Sequence, residues 1–375
     1  MQADELEMLS HLWFPVARVQ DINPGRPLAG ELLGTRLVAF RGATGVAVAL
    51  DRCPHRGARL SLGRMQGSAL ECPYHGWRWD DAGRCALVPS QPDLRSNETL
   101  QLVPTAERFG LVWASLAEPR NGLPSIPEME NDPDGGWELQ LGESFEVACG
   151  LRGITENFRD SSHFGFVHRE IFADVNPAIP PYSVRTDGYR LAWEIPLTFG
   201  AAWSARSQDD GSPKYRFGAS AANGSTPANE EVLLQYRFEL PALAYVYTEH
   251  SHGSKRLVCQ VAAPHDVEST RCRIFFFVAA DAAFRQHEGS LESQVQLETR
   301  VFSEDVPIVG TLDPKEAPMD LEGQAHVRAD RYSVAYRKLY RELVRKTPSP
   351  TLPTRGREDS GVPSTRGRES LGVRE

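Results

Sequence analysis

The 375-residue chain lacks an excess of positive charge: 41 Lys and Arg stand against 50 Asp and Glu, a formal net charge of −9. With no basic cluster to override that total, a nucleic-acid backbone is a poor partner. The chain has no apolar run near the ~18 residues that a membrane-crossing helix needs. Its first residues, MQADELEMLSHLWFPVARV, carry no basic segment ahead of an apolar stretch and do not read as a secretory signal. A cytoplasmic protein is expected. No G-x-G-x-x-G follows a strand-like run, so any nicotinamide cofactor would be handled by another protein. What is present is a 41% hydrophobic content over a length sufficient for two ordinary domains.

Residues 1–118 consist of short apolar runs (LVAFRG, GVAVALD, ALECPY, FGLVWASL) broken by Gly, Asp and Pro. They predict a small all-β domain. A Pro- and Gly-rich stretch, residues 119–136, reads as a linker. In residues 137–346, GLRGITENFRDSSHFGFVH predicts a helix that breaks at Gly165. Long strand-like runs follow, and helices are expected over about 282–305 and 328–346. Strands enclosed by helices predict an α+β domain, a curved antiparallel sheet wrapped on a helix. The tail, residues 347–375, repeats a short polar motif, PTRGRE and STRGRE, that cannot build a core and is expected to be disordered.

Six cysteines are spread through the chain, and only Cys53 and Cys72 have histidines at ligand spacing, His55 and His75. In a reducing compartment such pairs argue for metal before disulfide. Two thiolates and two imidazoles suit either a closed structural zinc or a Rieske [2Fe–2S] centre. The first pair is C-x-H rather than a zinc-type C-x2–4-C. Gly57 and Gly76 let tight loops close, and Pro54 and Pro73 stiffen them. C-x-H-x16-C-x2-H, written CPHRGA and CPYHGW, resembles the signature of the Rieske domain of ring-hydroxylating oxygenases. The extra loop cysteines of respiratory Rieske proteins are replaced by Ala58 and Tyr74.

A second constellation follows. In ITENFRDSSHFGFVH, Glu156, Asp160 and His163 fall at i, i+4 and i+7, one face of an unbroken helix. His168 needs a break to join them. Two histidines with one distant carboxylate give the facial triad of non-haem Fe(II) oxygenases. The segment again resembles the catalytic domain of Rieske oxygenases. That resemblance implies that His163 and His168 are iron ligands. It implies that Asp160 orients His163 and links it to the cluster of a neighbouring subunit, and that Asn157 sits near the iron. It also places the third ligand, an Asp, late in the long C-terminal helix, here the helix expected over about 282–305. Asp305 lies on its apolar stripe with Leu291, Val295, Phe302 and Val309, where a carboxylate is costly unless paired or bound. Glu304 and Asp313 are the alternatives, and Pro307 is expected to bend or end the helix.

The resemblance covers nearly the whole chain. It implies an N-terminal Rieske domain, a C-terminal helix-grip (START-like) domain and a homotrimer. It also implies a separate flavin and iron–sulfur reductase or ferredoxin, fed by NADH or NADPH. The expected activity is that of a terminal oxygenase acting on a small organic substrate with O2, by monooxygenation or O- or N-demethylation; cis-dihydroxylation is the alternative. Phe164, Phe166, Trp193, Trp203, Tyr245 and Phe276 are pocket candidates. His250 and His252, in TEHSHGS, are expected to be solvated.

Overall fold

The computed structural model describes residues 1–172, 175–200, 229–250 and 253–347. Trp203, His252 and the repeat tail lie outside the described residues. No helix among them is long and apolar enough to cross a membrane.

The chain opens with helix α1 (Ala3–Ser10), followed by ten short strands: β1 (Phe14–Arg18), β2 (Leu28–Leu32), β3 (Thr35–Arg41), β4 (Val46–Leu50), β5 (Arg64–Gln66), β6 (Ala69–Glu71), β7 (Arg78–Trp79), β8 (Cys85–Leu87), β9 (Thr105–Arg108) and β10 (Leu111–Ala114). They form three antiparallel sheets, β1–β10–β9, β2–β3–β4 and β5–β6–β7–β8. The β2–β3 hairpin turns through Leu33 and Gly34, both at positive φ (51° and 74°). That is the two-residue turn whose twist matches paired strands. Its tip donates Leu33 N–H to Pro264 O (2.9 Å) and Gly34 N–H to His265 O (2.6 Å), which ties the small sheets to the second half of the chain.

That half is built on one antiparallel sheet, eight-stranded among the described residues. After a short helix α2 (Pro127–Glu130) come β11 (Glu138–Leu141) and β12 (Phe145–Val147), then helices α3 (Leu151–Asn157) and α4 (Phe164–Val167). Strands β13 (Arg185–Asp187), β14 (Arg190–Gly200), β15 (Asn229–Glu239), β16 (Leu243–Glu249), β17 (Lys255–Pro264) and β18 (Cys272–Ala280) follow. The order is β11–β18–β17–β16–β15–β14–β13, and β12 also pairs with β18. Helices α5 (Ala282–His287), α6 (Leu291–Val309) and α7 (Arg331–Lys346) close the chain.

The apolar stripe expected on the late helix is the face that α6 buries. Leu291, Val295 and Phe302 pack with Phe284 of α5 on Val258, Phe276, Val278 and Ala280 of the sheet. Full burial of side chains of this size contributes about 1.5–3 kcal/mol each. The expected single helix is two, parted at Gly289 (φ 130°), with Ser290 Oγ capping α6 by accepting from Ser293 N–H (3.2 Å). Pro307 lies inside the last turns of α6, which continues to Val309.

The helix expected to break at Gly165 breaks earlier. α3 ends at Asn157, and α4 holds Gly165 inside it. Asp160 Oδ1 accepts from Ser162 N–H (2.8 Å) and Ser162 Oγ–H (2.6 Å), a local bond that competes with helix continuation. Gly165 instead allows close approach: a Cβ there would lie 3.1 Å from Val175 Cγ1.

Glu156 consequently leaves the face it would have shared with Asp160 and His163. Its two oxygens accept from Arg337 Nε and Nη2 (2.6 and 2.7 Å), joining α3 to α7. His250 is buried rather than solvated: its N–H bonds Ser254 O, and its ring faces Glu288 at 3.9 Å.

Candidate metal centres

The two Cys-His loops share one backbone plan. Gly57 N–H donates to Cys53 O (2.8 Å) and Gly76 N–H to Cys72 O (3.1 Å), each four residues on. Cys53 N–H donates to Ala58 O and Cys72 N–H to Trp77 O, each to a carbonyl five residues on and each at 2.8 Å. Both glycines sit at positive φ, 75° and 69°, which lets each loop close. The loops therefore present two like edges to each other. Both thiols point inward, 1% and 3% exposed, while His75 lies exposed at the surface and His55 is partly covered. The imidazole centroids are 4.7 Å apart, and His55 stacks on Trp77 at 4.5 Å.

Burial pushes the Cys53 thiol up to about 11, and the neighbouring Cys72 adds to that shift. Partial desolvation, with His75 and Arg56 nearby, lowers His55 and keeps it neutral. Its Nδ1 is a buried nitrogen without a hydrogen-bond partner. Two buried free thiols beside two imidazoles suit a group with soft and nitrogen-seeking metal ions at opposite ends.

The second centre joins the α3–α4 corner to α6. His163, His168 and Asp305 each offer a ligand atom within 4.8 Å of the others. His163 Nε2 and His168 Nε2 both lie 3.4 Å from Asp305 Oδ1. Asn157 Nδ2 donates to the same Oδ1 at 3.3 Å. His168 is fully buried, and its Nε2 has no hydrogen-bond partner. An orphaned imidazole nitrogen beside a carboxylate and a second imidazole is a donor set that suits a divalent transition metal.

Each histidine is held from behind by a carboxylate. Asp160 Oδ2 is 3.5 Å from His163 Nδ1, and Glu304 Oε2 is 2.9 Å from His168 Nδ1. Burial alone would lower His168, but Asp305 and Glu304 outweigh it and raise the ring's proton affinity. Burial pushes Asp160 up, while His163 and the Ser162 hydrogen bonds pull it below its ordinary range. Glu304, an alternative third ligand from sequence, thus stands behind His168. Adjacent positions on a helix differ by about 100°, so Glu304 and Asp305 reach His168 from different sides. Asp313 lies apart, in a surface cleft with Asn157, Asp160 and His163.

An apolar cavity opens from the triad. About 630 Å³ of non-atom space lies within its bounds, open solvent included. Phe158, Phe164, Phe172, Leu234, Val246 and Phe302 form much of its wall. Of the sequence candidates, Phe164 lines it. Phe166 points outward, 58% exposed. Trp193 stacks behind the lining residue Tyr236 at 5.2 Å, and Phe276 packs behind Phe302 at 4.7 Å. Tyr245 occupies the opposite face of β16 from Val246 and Thr248, where it bonds Glu128.

Residues 12–101 match the Rieske [2Fe-2S] domain family, and residues 147–346 match the vanillate O-demethylase oxygenase C-terminal domain. Methylxanthine N1-demethylase NdmA of Pseudomonas putida is 29% identical over 350 residues, which cover 91% of this chain and 90% of that protein. The structure of an NdmA variant with theobromine superposes with a TM-score of 0.72 at 27% identity, covering 91% and 92% of the two chains. NdmA with caffeine gives 0.70 at 26%, covering 91% and 93%.

Proposed function

The chain belongs to the Rieske oxygenases with a vanillate O-demethylase-type catalytic domain, and from that premise we propose how its own residues divide the work. The protein is the oxygenase component of a multicomponent system that draws electrons from a separate reductase or ferredoxin, and its chemistry is monooxygenation or demethylation rather than dihydroxylation. Cys53, His55, Cys72 and His75 hold the [2Fe–2S] cluster. His163, His168 and Asp305 hold the mononuclear iron. The substrate is a small N- or O-methylated aromatic or heteroaromatic compound. When bound, these two groups supply single electrons and the activation of O2 at the mouth of the cavity.

The residues around them position and exclude. Asp160 and Glu304 hold the Nδ1 atoms of His163 and His168, so both Nε2 atoms face Asp305. Asn157 keeps Asp305 turned toward them. The phenylalanine wall excludes water and grips a flat ligand by its faces. The observation that carries this reading is the convergence of two imidazole Nε2 atoms on one carboxylate oxygen at the end of an apolar cavity.

We extend the proposal to a trimer, in which the His75 edge of one copy meets the cleft that contains Asp160 in the next. The surface position of both supports it. The division into residues 1–118, a linker at 119–136 and residues 137–346 belongs to the same proposal. So does a cytoplasmic site of action, in keeping with six free cysteines. The test is a single turnover: pre-reduced protein meets O2 and a panel of N-methyl, O-methyl and unsubstituted aromatics, with products read by exact mass. One oxygen gained, or a methyl lost as formaldehyde, is expected. A product carrying both oxygen atoms would overturn the reading.

A further inference from the structure

We propose that Trp79 tunes the cluster held by the two Cys-His loops: its indole N–H is a donor set against the Cys53 sulfur, and it raises the reduction potential of a [2Fe–2S] group bound there. Trp79 is a positioning residue of that centre and not a ligand. The inference rests on Cys53, His55, Cys72 and His75 holding the cluster.

Three observations carry it. The first is a buried donor without a partner. Trp79 is fully buried, in a core that it shares with Cys53, Cys72, Phe40, Leu60 and Leu70. Its Nε1 is buried and has no hydrogen-bond partner. A buried donor left unpaired is costly, and Phe would fill an apolar core without that cost. Trp193 leaves its nitrogen equally bare, so burial alone does not single Trp79 out. Its place does.

The second is aim. Strand β7 leaves the second Cys-His loop directly: Cys72 N–H bonds Trp77 O, and β6 pairs with β7 through Glu71 with Arg78 and Leu70 with Trp79. On the other side of β7 the register with β8 shifts between Arg78 and Trp79. An irregularity of that kind re-aims a side chain. The side chain reaches the cysteine of the first loop. Burial raises the Cys53 thiol most, while the His55 backbone N–H and the Trp79 side chain both pull it back, as donors beside a sulfur do. A neutral thiol is a weak acceptor, and the indole N–H stops short of hydrogen-bond geometry to it. A thiolate is the stronger acceptor.

The third is chemistry. The one electron that the cluster takes from its donor protein adds negative charge to the sulfurs. A donor set against a sulfur therefore stabilises the reduced form more than the oxidised form, and such bonds are among the features that set the potential of an iron–sulfur group. Water cannot stand in for the indole here, because Cys53 is 1% exposed and Trp79 is 0%. Trp77, two residues earlier, stacks on His55 instead.

The test is a potentiometric titration of the holoprotein, with the reduced cluster read by electron paramagnetic resonance, which needs no turnover. Trp79→Phe keeps a buried aromatic ring and removes the N–H. It is expected to lower the equilibrium constant for reduction about tenfold, about 59 mV for one electron, with the cluster absorbance retained. Benzothienylalanine at position 79 carries sulfur where indole carries N–H and keeps its shape. It should give the same fall, and it supplies the reading if Trp79→Phe does not hold its cluster. An unchanged potential in the benzothienyl protein would overturn the proposal, and so would a fall confined to Trp79→Phe, which would trace to lost volume. Native holoprotein without a [2Fe–2S] signal would overturn the cluster assignment and this proposal with it. A normal signal with unmoved potentials in the variants would overturn only the part given to Trp79.

Discussion

Glu304→Ala is expected to weaken Fe(II) binding without abolishing it. Glu304 Oε2 lies 2.9 Å from Nδ1 of His168, a fully buried ring whose Nε2 faces Asp305. A carboxylate in that place selects the tautomer with the proton on Nδ1, fixes the ring plane and raises the basicity of Nε2. Removing such a partner typically costs 10–100-fold in metal affinity, about 1.4–2.7 kcal/mol. The assay is an anaerobic Fe(II) titration against a competing chelator, on protein stripped of mononuclear iron with its cluster absorbance intact. Glu304→Gln keeps an oxygen that can accept from Nδ1–H and should lose less. The other Glu304 oxygen contacts Arg300 at 3.5 Å, and Arg300 is half-exposed, so Arg300→Ala should shift affinity far less. Unchanged affinity in Glu304→Ala would refute the orienting role. A loss as complete as that of Asp305→Ala would make Glu304 a ligand.

Asp305→Ala should lose mononuclear iron and all turnover while the cluster absorbance stays; turnover in that variant would remove Asp305 from the ligand set. Gly76→Ala places a side chain at φ 69° with its Cβ 3.2 Å from Pro89 Cγ, so it should cost about 1–2 kcal/mol and bleach the cluster faster on heating; a bleaching rate equal to native would show that the loop does not need that glycine. Glu316→Gln tests a pH dependence. Glu316 and Glu5 share the single guanidinium of Arg152, and burial pushes Glu316 up to about 7 against the pull of Arg152. A carboxyl raised in the folded state binds its proton more tightly there than when unfolded. Its contribution is therefore full below the unfolded value and lost as pH rises through 7, about 3 kcal/mol in all. Native stability should fall between pH 5 and 8 by denaturant melts, and the Gln variant should flatten that fall; parallel curves would rule Glu316 out as the source.

What sequence made legible was local. The two Cys-His loops carry their geometry within a few residues each, and glycines four residues after each cysteine meet a backbone that turns back on that cysteine's carbonyl. Asp305 stood out because it interrupts an apolar stripe, and the structure brings it against His163 and His168. The misread parts depended on partners far along the chain or on competing local bonds. Helical spacing placed Glu156 with Asp160, but Ser162 bonds to Asp160 in the turn that follows α3, and Arg337, 181 residues away, takes Glu156. Helix α6 likewise looked continuous with α5 because periodicity does not register one glycine at φ 130°. Pocket lining was the least legible, since aromatic residues alternate across the sheet and only strand pairing tells which face looks at the iron site.

One helix carries most of what was hidden. On α6, Glu298, Phe302 and Asp305 follow the spacing of a single buried face, and that face meets the sheet at one end and the α3–α4 corner at the other. Glu304 lies one step round from Asp305, enough to pass behind His168 instead of in front of it. The same helix thus sets the carboxylate that faces both imidazoles, the carboxylate that orients one of them, and a charged residue of the cavity wall two turns away. A shift of α6 along its axis would move all three together. On the proposed assignment the substrate cavity and the metal ligands share this one rigid element, and substitutions that repack Leu291 or Val295 beneath it should alter substrate preference and Fe(II) affinity in the same variant.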